Sequence, residues 1–243
     1  MDKAKIFDRL IAVTAVIFVI SGAYCLYEHN FMNLKQKQLD REHVRYMKDI
    51  VTGTASYREV MDSCLKQDRK GLLKIGQVAV PALAVNIPVY NKPYDEKALD
   101  SGAQKMAPIE NNRIKGGNVN NTVLVGHNYG DGRRMFSPLQ DGVNQSGDYF
   151  KNGRPVKNRW LDGRQVYLAT RTGIDVYTIK WQKAVRDNDL SARKETSEKV
   201  LTLVTCLEPD DDYRIVTRAE LSAQCPWQST SEKVLQMMRG KRQ

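Results

Sequence analysis

The spacing of apolar positions changes character three times along the chain. From Leu10 to Tyr27 ("LIAVTAVIFVISGAYCLY") no charge interrupts eighteen residues, and Lys3, Lys5 and Arg9 precede them. As a helix at ~1.5 Å per residue such a run spans ~27 Å, close to a bilayer core. It predicts a transmembrane anchor at 10–27, with the basic residues 1–9 on the cytoplasmic side and everything after Glu28 outside. A cleaved signal peptide is the alternative, because Ser21, Gly22 and Ala23 resemble a small-residue cleavage site. From Glu28 to Lys70 the pattern is polar, charge-mixed and free of proline, which predicts a helical stalk. Within it Ser56 and Glu59 form an S-x-x-E capping box, and Tyr57, Val60, Met61, Cys64 and Leu65 follow at helical spacing. That stripe must pack on something, either the main domain or a regulatory or dimerising partner.

From Leu72 the period shortens. "IGQVAVPALAVNIPVY" reads as two short strands divided at Pro81, with Pro88 and Pro93 interrupting as at a sheet edge. "NTVLVGHN" is a strand running into a glycine and a histidine. Gln165–Thr170 and Ile174–Val185 read as a hairpin turning at Thr172-Gly173, and "KVLTLVTC" and "YRIVTRAEL" supply two more strands. Seven or so strands with few long helices predict a mainly β fold, closed or nearly closed as a barrel, since closure removes exposed edges. Short helices are expected at Lys97–Ser101 and over about ten residues before Gly240, the latter capped by Ser229 with Glu232.

Composition narrows the function classes. The 243 residues include 38 Lys and Arg against 28 Asp and Glu, a net charge of +10 that suits an anionic surface such as a cell envelope. Zinc-finger spacing, RNP-like aromatic motifs and dense basic blocks are all missing, so no nucleic-acid partner is expected. The four cysteines, Cys25, Cys64, Cys206 and Cys225, match no metal-ligand spacing. Cys25 and Cys64 fall on apolar helical stretches. Cys206 could be a buried thiol, half of a disulfide with Cys225 in an oxidising compartment, or a nucleophile.

Between Leu72 and Gln243 there is one histidine, His127, placed after the strand "NTVLVG" beside a glycine-rich loop. That context sets it at a rim, with Asn128 next to it as a candidate substrate contact. Cys206 ends the strand Val200–Thr205 in a matching place. A thiol attacks only as thiolate and so needs partial exposure and a positive or proton-accepting neighbour. Arg214 begins the next strand, and a hairpin would return it beside Cys206, where its fork of donors suits an oxyanion. Arg218 shares that strand face and competes for the role. The candidate division of labour is Cys206 as acyl carrier, His127 as acid and base, and Arg214 as electrostatic stabiliser.

"TLVTC" followed by "YRIVTRAEL", with "VLVGHN" upstream and "IGQVAVPALAVNIPVY" at the start, resembles a sortase over about Leu72 to Leu221. The resemblance implies an eight-stranded β-barrel at 71–222, with a C-terminal helical extension at 223–243. It implies a cysteine transpeptidase, class A-like with its N-terminal anchor, on the membrane of a Gram-positive bacterium with the barrel outside the cytoplasm. Its expected chemistry is cleavage of an LPxTG-like sorting signal between Thr and Gly through a thioacyl enzyme, and transfer of the surface protein to an amine of a peptidoglycan precursor or a pilin. His127, Cys206 and Arg214 match the family's catalytic positions, and Thr205 matches a threonine implicated in substrate binding. The acidic run Glu208–Asp212 ("EPDDD") holds consecutive rather than spaced carboxylates, so no metal is expected, with calcium the minor alternative. Residues 186–199 fall where the family carries its specificity loop but lack large apolar side chains. Two other functions fit parts of the pattern: an L,D-transpeptidase, whose S-x-G-C-x-R motif "LVTCLE" does not match, and an inactive barrel serving as an envelope or pilus scaffold.

Overall fold

The computed structural model describes residues 56–68, 71–107, 109–110, 113–114 and 120–239, and isolated positions between Thr14 and Arg41. The chain divides into two compact units, Met1–Arg41 and Glu42–Gln243. Most of the expected anchor at 10–27, and the stalk up to Ala55 apart from four positions, lie outside the described residues; among those described, no helix is long and apolar enough to cross a membrane. The second unit carries the β pattern.

Its eight principal strands are β1 (Lys74–Val80), β2 (Val85–Tyr90), β3 (Ala103–Met106), β4 (Asn121–Val125), β5 (Gln165–Ala169), β6 (Gly173–Arg186), β7 (Val200–Cys206) and β8 (Tyr213–Pro226). They pair in the order β5-β1-β2-β3-β4-β7-β8-β6, and β6 pairs back to β5, so the barrel is closed and has no free edge. Two contacts are parallel, β2 with β3 and β4 with β7; the other barrel contacts are antiparallel. A two-residue strand, Lys157–Asn158, adds to β6 at Gln182 and Lys183, on the edge beyond the stretch that β5 pairs with.

Closure explains where the proline pattern misleads. Pro88 suggests a sheet edge, yet β2 is paired on both sides, and its ladder to β3 begins only at Val89, one residue past the missing N–H. β8 also runs five residues beyond Leu221, to Pro226, because β6 is long enough to pair with it back to Gly173.

The barrel interior holds Leu124, Leu201, Leu203, Ile179 and Ala219, all fully buried. One polar group is built into it. Gln182 is 0% exposed, and its amide donates to Thr217 Oγ1 at 2.7 Å and the Leu139 carbonyl at 2.9 Å while accepting from Trp160 Nε1 at 2.6 Å. With every bond made, this glutamine fastens the long β4–β5 connection to the barrel instead of incurring a desolvation penalty.

Outside the barrel, α1 (Tyr57–Leu65) and the C-terminal helix α3 (Glu232–Arg239) pack together on Ala79, Ala169 and Ile174, with Trp227 between the elements. Val60 and Cys64 are the buried pair of the α1 stripe. The capping box does not form: Ser56 is the N-cap, but its side chain makes no cap bond. A third helix, α2 (Glu96–Leu99), is capped by Asp95, whose carboxylate accepts from Ala98 N at 2.8 Å.

Candidate active site

The parallel contact of β4 with β7 brings histidine and cysteine to one rim. Val125 is in register with Val204, and the pairing extends beyond β4 through Gly126 N, which donates to the Val204 carbonyl at 3.1 Å. Thr205 Oγ1 then donates to the Gly126 carbonyl at 2.7 Å. The next residues on the two strands are His127 and Cys206. Gly126 is required here, because a Cβ would stand 2.6 Å from the buried ring of Phe136.

The antiparallel contact on the other side supplies the arginine. Cys206 and Arg214 are register partners in the β7–β8 ladder. Thr205 and Leu203 point into the barrel, so Cys206, and Arg214 with it, lie on the outer face. Arg214 Nη1 donates to the carbonyls of Asp211 and Tyr213, at 2.7 and 2.9 Å, which fixes the guanidinium at the start of the strand. Arg218 pairs with Thr202, four residues or ~13 Å further along, so Arg214 is the arginine beside the thiol.

Cys206 is half-buried and unbridged. Burial pushes its thiol pKa up; Arg214 opposes this, and the nearby Glu208 and Asp211 carboxylates reinforce it. The resting thiol is therefore protonated at neutral pH. The Cys206–Cys225 disulfide does not occur. Cys225 pairs with Ile174, eleven residues up β8 from Arg214, which puts it at the opposite end of the barrel, and it is free.

His127 is held from two sides. Its Nε2 lies 3.2 Å from Asp100 Oδ1, and its ring packs at 5.1 Å on Tyr129. The Arg134 guanidinium lies over the Tyr129 ring at 4.2 Å and pairs with Asp131 at 2.6 Å. Hydrogen bonds from Arg134 and from the backbone of Arg133 and Arg134 hold the Asp131 carboxyl far below the usual range. The loop is closed by Phe136 N donating to the His127 carbonyl at 3.0 Å.

The two candidate substrate contacts have side chains already engaged. Thr205 is 1% exposed and bonded to Gly126. Asn128 is 7% exposed; its amide donates to the Cys206 carbonyl at 3.0 Å and to Gln140 Oε1 at 2.6 Å, and its oxygen accepts from Gly130 N. Both side chains brace the rim. Gln140 is the hub of that brace: its oxygen also accepts from Glu208 N at 3.0 Å, and its amide donates to the carbonyls of Glu208 and Gln145, at 2.5 and 2.9 Å. Sequence reasoning misses Gln140 because it sits in an irregular loop without periodicity. Asp100 is missed because its only sequence cue is its place after a short capped helix.

No group of three or more His, Cys, Asp or Glu side chains converges to hold a metal among the described residues. Glu208–Asp212 forms the β7–β8 turn, and its Asp212 lies 3.7 Å from Arg186 across the rim.

The fold is a closed eight-stranded barrel with His127, Cys206 and Arg214 at one rim, set there by the β4–β7 and β7–β8 pairings. The sortase-domain family model matches residues 78–222, and the chain belongs to the sortase family. Among curated relatives, sortase A of Streptococcus agalactiae is 29% identical over 166 residues, covering 66% of this chain and 58% of that protein. Sortase A of Listeria monocytogenes is 26% identical over 192 residues, covering 78% of this chain and 70% of that one. The crystal structure of the Listeria sortase A superposes with a TM-score of 0.51 at 24% identity, over 69% of this chain and 99% of that structure, and so shares the fold. The chain thus spans less than two thirds of the length of its streptococcal relative.

Proposed function

We propose that this protein is a membrane-anchored cysteine transpeptidase that cleaves an LPxTG-like sorting signal and transfers the surface protein to a cell-wall precursor amine. The observation that carries the reading is the register pairing of Cys206 with Arg214 beside the strand exit that presents His127. Cys206 attacks the scissile carbonyl while His127 accepts the thiol proton. The tetrahedral oxyanion forms against Arg214, whose donors cost no reorganisation at that moment. Collapse expels the amine, which takes its proton from His127, and leaves the acyl group on Cys206. An incoming acceptor amine then attacks the thioester, passes its proton to His127 and releases the thiol. Asp100 Oδ1, 3.2 Å from Nε2, favours the imidazolium that forms as His127 takes up these protons.

The apolar run Leu10–Tyr27 and its basic flank support a single-pass anchor with the barrel outside the cytoplasm, as a Gram-positive envelope enzyme requires. The test is cleavage of a fluorogenic LPxTG-type peptide panel by the full chain in detergent, with an added amine to capture the acyl group. A Cys206→Ala chain should neither cleave nor form the acyl-enzyme by mass spectrometry; cleavage persisting in that variant overturns the proposal.

A further inference from the structure

A transpeptidase handles two substrates at one thiol, and the two sides of Cys206 differ in chemistry. On the β4 side the β6–β7 connection folds over the barrel. Asn121 Nδ2 donates to the carbonyls of Ala192 and Lys194, at 2.9 and 2.7 Å, and Arg193 reaches the Ala107 carbonyl at 2.7 Å. On the β8 side the outer face is basic. Lys157 and Lys183 are register partners, Lys183 pairs with Val216, and Val185 on the same face pairs with Arg214. One pleat away Trp181 pairs with Arg218. The alternate residues Gln182 and Thr217 bond to each other inside the barrel, which places this set outside.

Three features of the strip are unexplained by folding. Lysines directly opposed across two strands repel one another. The Trp181 ring takes cations twice, from Lys157 at 5.5 Å and Arg218 at 5.7 Å. Arg218 Nη1 is buried without a hydrogen-bond partner, and burial pulls that guanidinium's pKa down. None of Lys157, Lys183, Arg214 and Arg218 has an acidic salt-bridge partner among the described residues. A buried donor left open beside opposed lysines is the arrangement an oxyanion completes.

We propose that the strip formed by Lys157, Lys183, Trp181 and Arg218 is an anion subsite for the acceptor, binding a phosphate or carboxylate group carried by the amine that resolves the Cys206 thioester. It rests on the transpeptidase reading for the word acceptor, and on the basic strip alone for the anion. The anion docks beyond Arg214, and the amine reaches back across one strand to the thioester.

The test compares matched acceptors with the full chain and one donor peptide: O-phosphoethanolamine against ethanolamine, and glycylglycine against glycylglycinamide. An anionic member should show an apparent KM about tenfold lower than its neutral partner, the size of one charge-assisted contact. The pair that shows it identifies phosphate or carboxylate. The ratio should collapse towards one in Lys183→Gln and in Arg218→Gln. A ratio of one in both pairs for the unmodified protein, or a preference that survives both substitutions, overturns the inference. Titration with inorganic pyrophosphate, read on the Trp181 indole resonance assigned by Trp181→Phe, needs no turnover. A saturable shift lost in Lys183→Gln supports the subsite, and no shift overturns it, even if donor cleavage fails and the transpeptidase reading falls.

Discussion

Cys206 and Arg214 stand opposite each other across the β7–β8 ladder, joined by the turn 207–212 that holds the whole acidic run. The turn returns the guanidinium to the thiol, and its carboxylates work against thiolate formation while Arg214 favours it. Arg214→Ala should lower kcat/KM by ~10²–10³, the cost of removing one oxyanion donor. Arg214→Lys should recover little, because an ammonium lacks the planar fork. Steady-state kinetics on one donor peptide decides this, and near-normal activity in Arg214→Ala would remove the arginine from the mechanism.

The cysteines should separate by reactivity. Burial pushes the Cys206 thiol above its ordinary value and that of Cys64 up to about 12. Iodoacetamide should therefore modify Cys206 faster as pH rises through the alkaline range, with Arg214→Ala moving the profile higher and Asp211→Asn lower. Cys64 should react only after unfolding. Both folded thiols hold their protons more tightly than the unfolded chain does, so their contribution to stability is complete below the ordinary thiol pKa and is lost as pH rises above it, for Cys64 as pH climbs towards about 12. Mass spectrometry of alkylated peptides and denaturant melts across pH check the two halves.

Asp100 touches His127 Nε2 from a side chain that is 59% exposed, so its effect is screened. It acts as a positioning residue, holding the imidazole by its contact at Nε2. Asp100→Asn should lower kcat about three- to tenfold with KM unchanged, a loss in line with a solvent-exposed charge contact. The salt dependence of kcat should weaken in the variant. A change in KM alone would mean that Asp100 contacts the donor instead.

The catalytic candidates were legible because each is anchored by a repeating pattern. Two apolar strands, "NTVLV" and "VLTLVTC", end at His127 and Cys206, and parallel pairing of strands with matched ends brings those ends together. Arg214 follows from hairpin geometry alone. What surrounds them was not legible, since Asp100, Tyr129 and Gln140 lie in loops whose conformation no periodicity encodes. Asn128 and Thr205 are expected from sequence as substrate contacts, but in the folded chain their polar atoms bond to Cys206, Gln140 and Gly126. The same limit hid the basic strip, because Lys157 and Lys183 become neighbours only when a two-residue strand docks on β6.

Gln140 connects the Cys206 carbonyl, through Asn128, to both backbone groups of Glu208. All four of its bonds use a specific end of the amide. Gln140→Glu replaces two donated bonds with repulsion against the Glu208 and Gln145 carbonyls and should lower kcat about 10- to 100-fold, as loosening a positioned nucleophile does. Donor KM should stay within a factor of two or so, and the Cys206 alkylation profile should shift in pH. An unchanged thiol profile together with lost activity would place Gln140 in folding rather than positioning.

The far end of the barrel offers a separation of stability from activity. Met238 is 0% exposed in the cluster that joins α1, α3 and Trp227 to Ile174, and Ile174 pairs with Cys225, eleven residues or ~36 Å along β8 from Arg214. The helix is also held by polar bonds: Gln77 donates to the Met238 carbonyl at 2.9 Å and Asn86 to that of Met237 at 2.8 Å. Met238→Ala removes the packed side chain but leaves those backbone acceptors in place, so the loss is that of a core cavity, about 2–5 kcal/mol. The midpoint of urea unfolding should fall accordingly, while kcat/KM measured where the variant is still folded should match the unmodified protein. Deleting α3 entirely should cost more, because it strips the Met237 and Met238 carbonyls from the amides of buried Gln77 and half-buried Asn86 as well as exposing Val60, Cys64 and Trp227. If Met238→Ala instead lowers kcat/KM without moving the unfolding midpoint, the two ends of the barrel are coupled and the helical layer acts on the site.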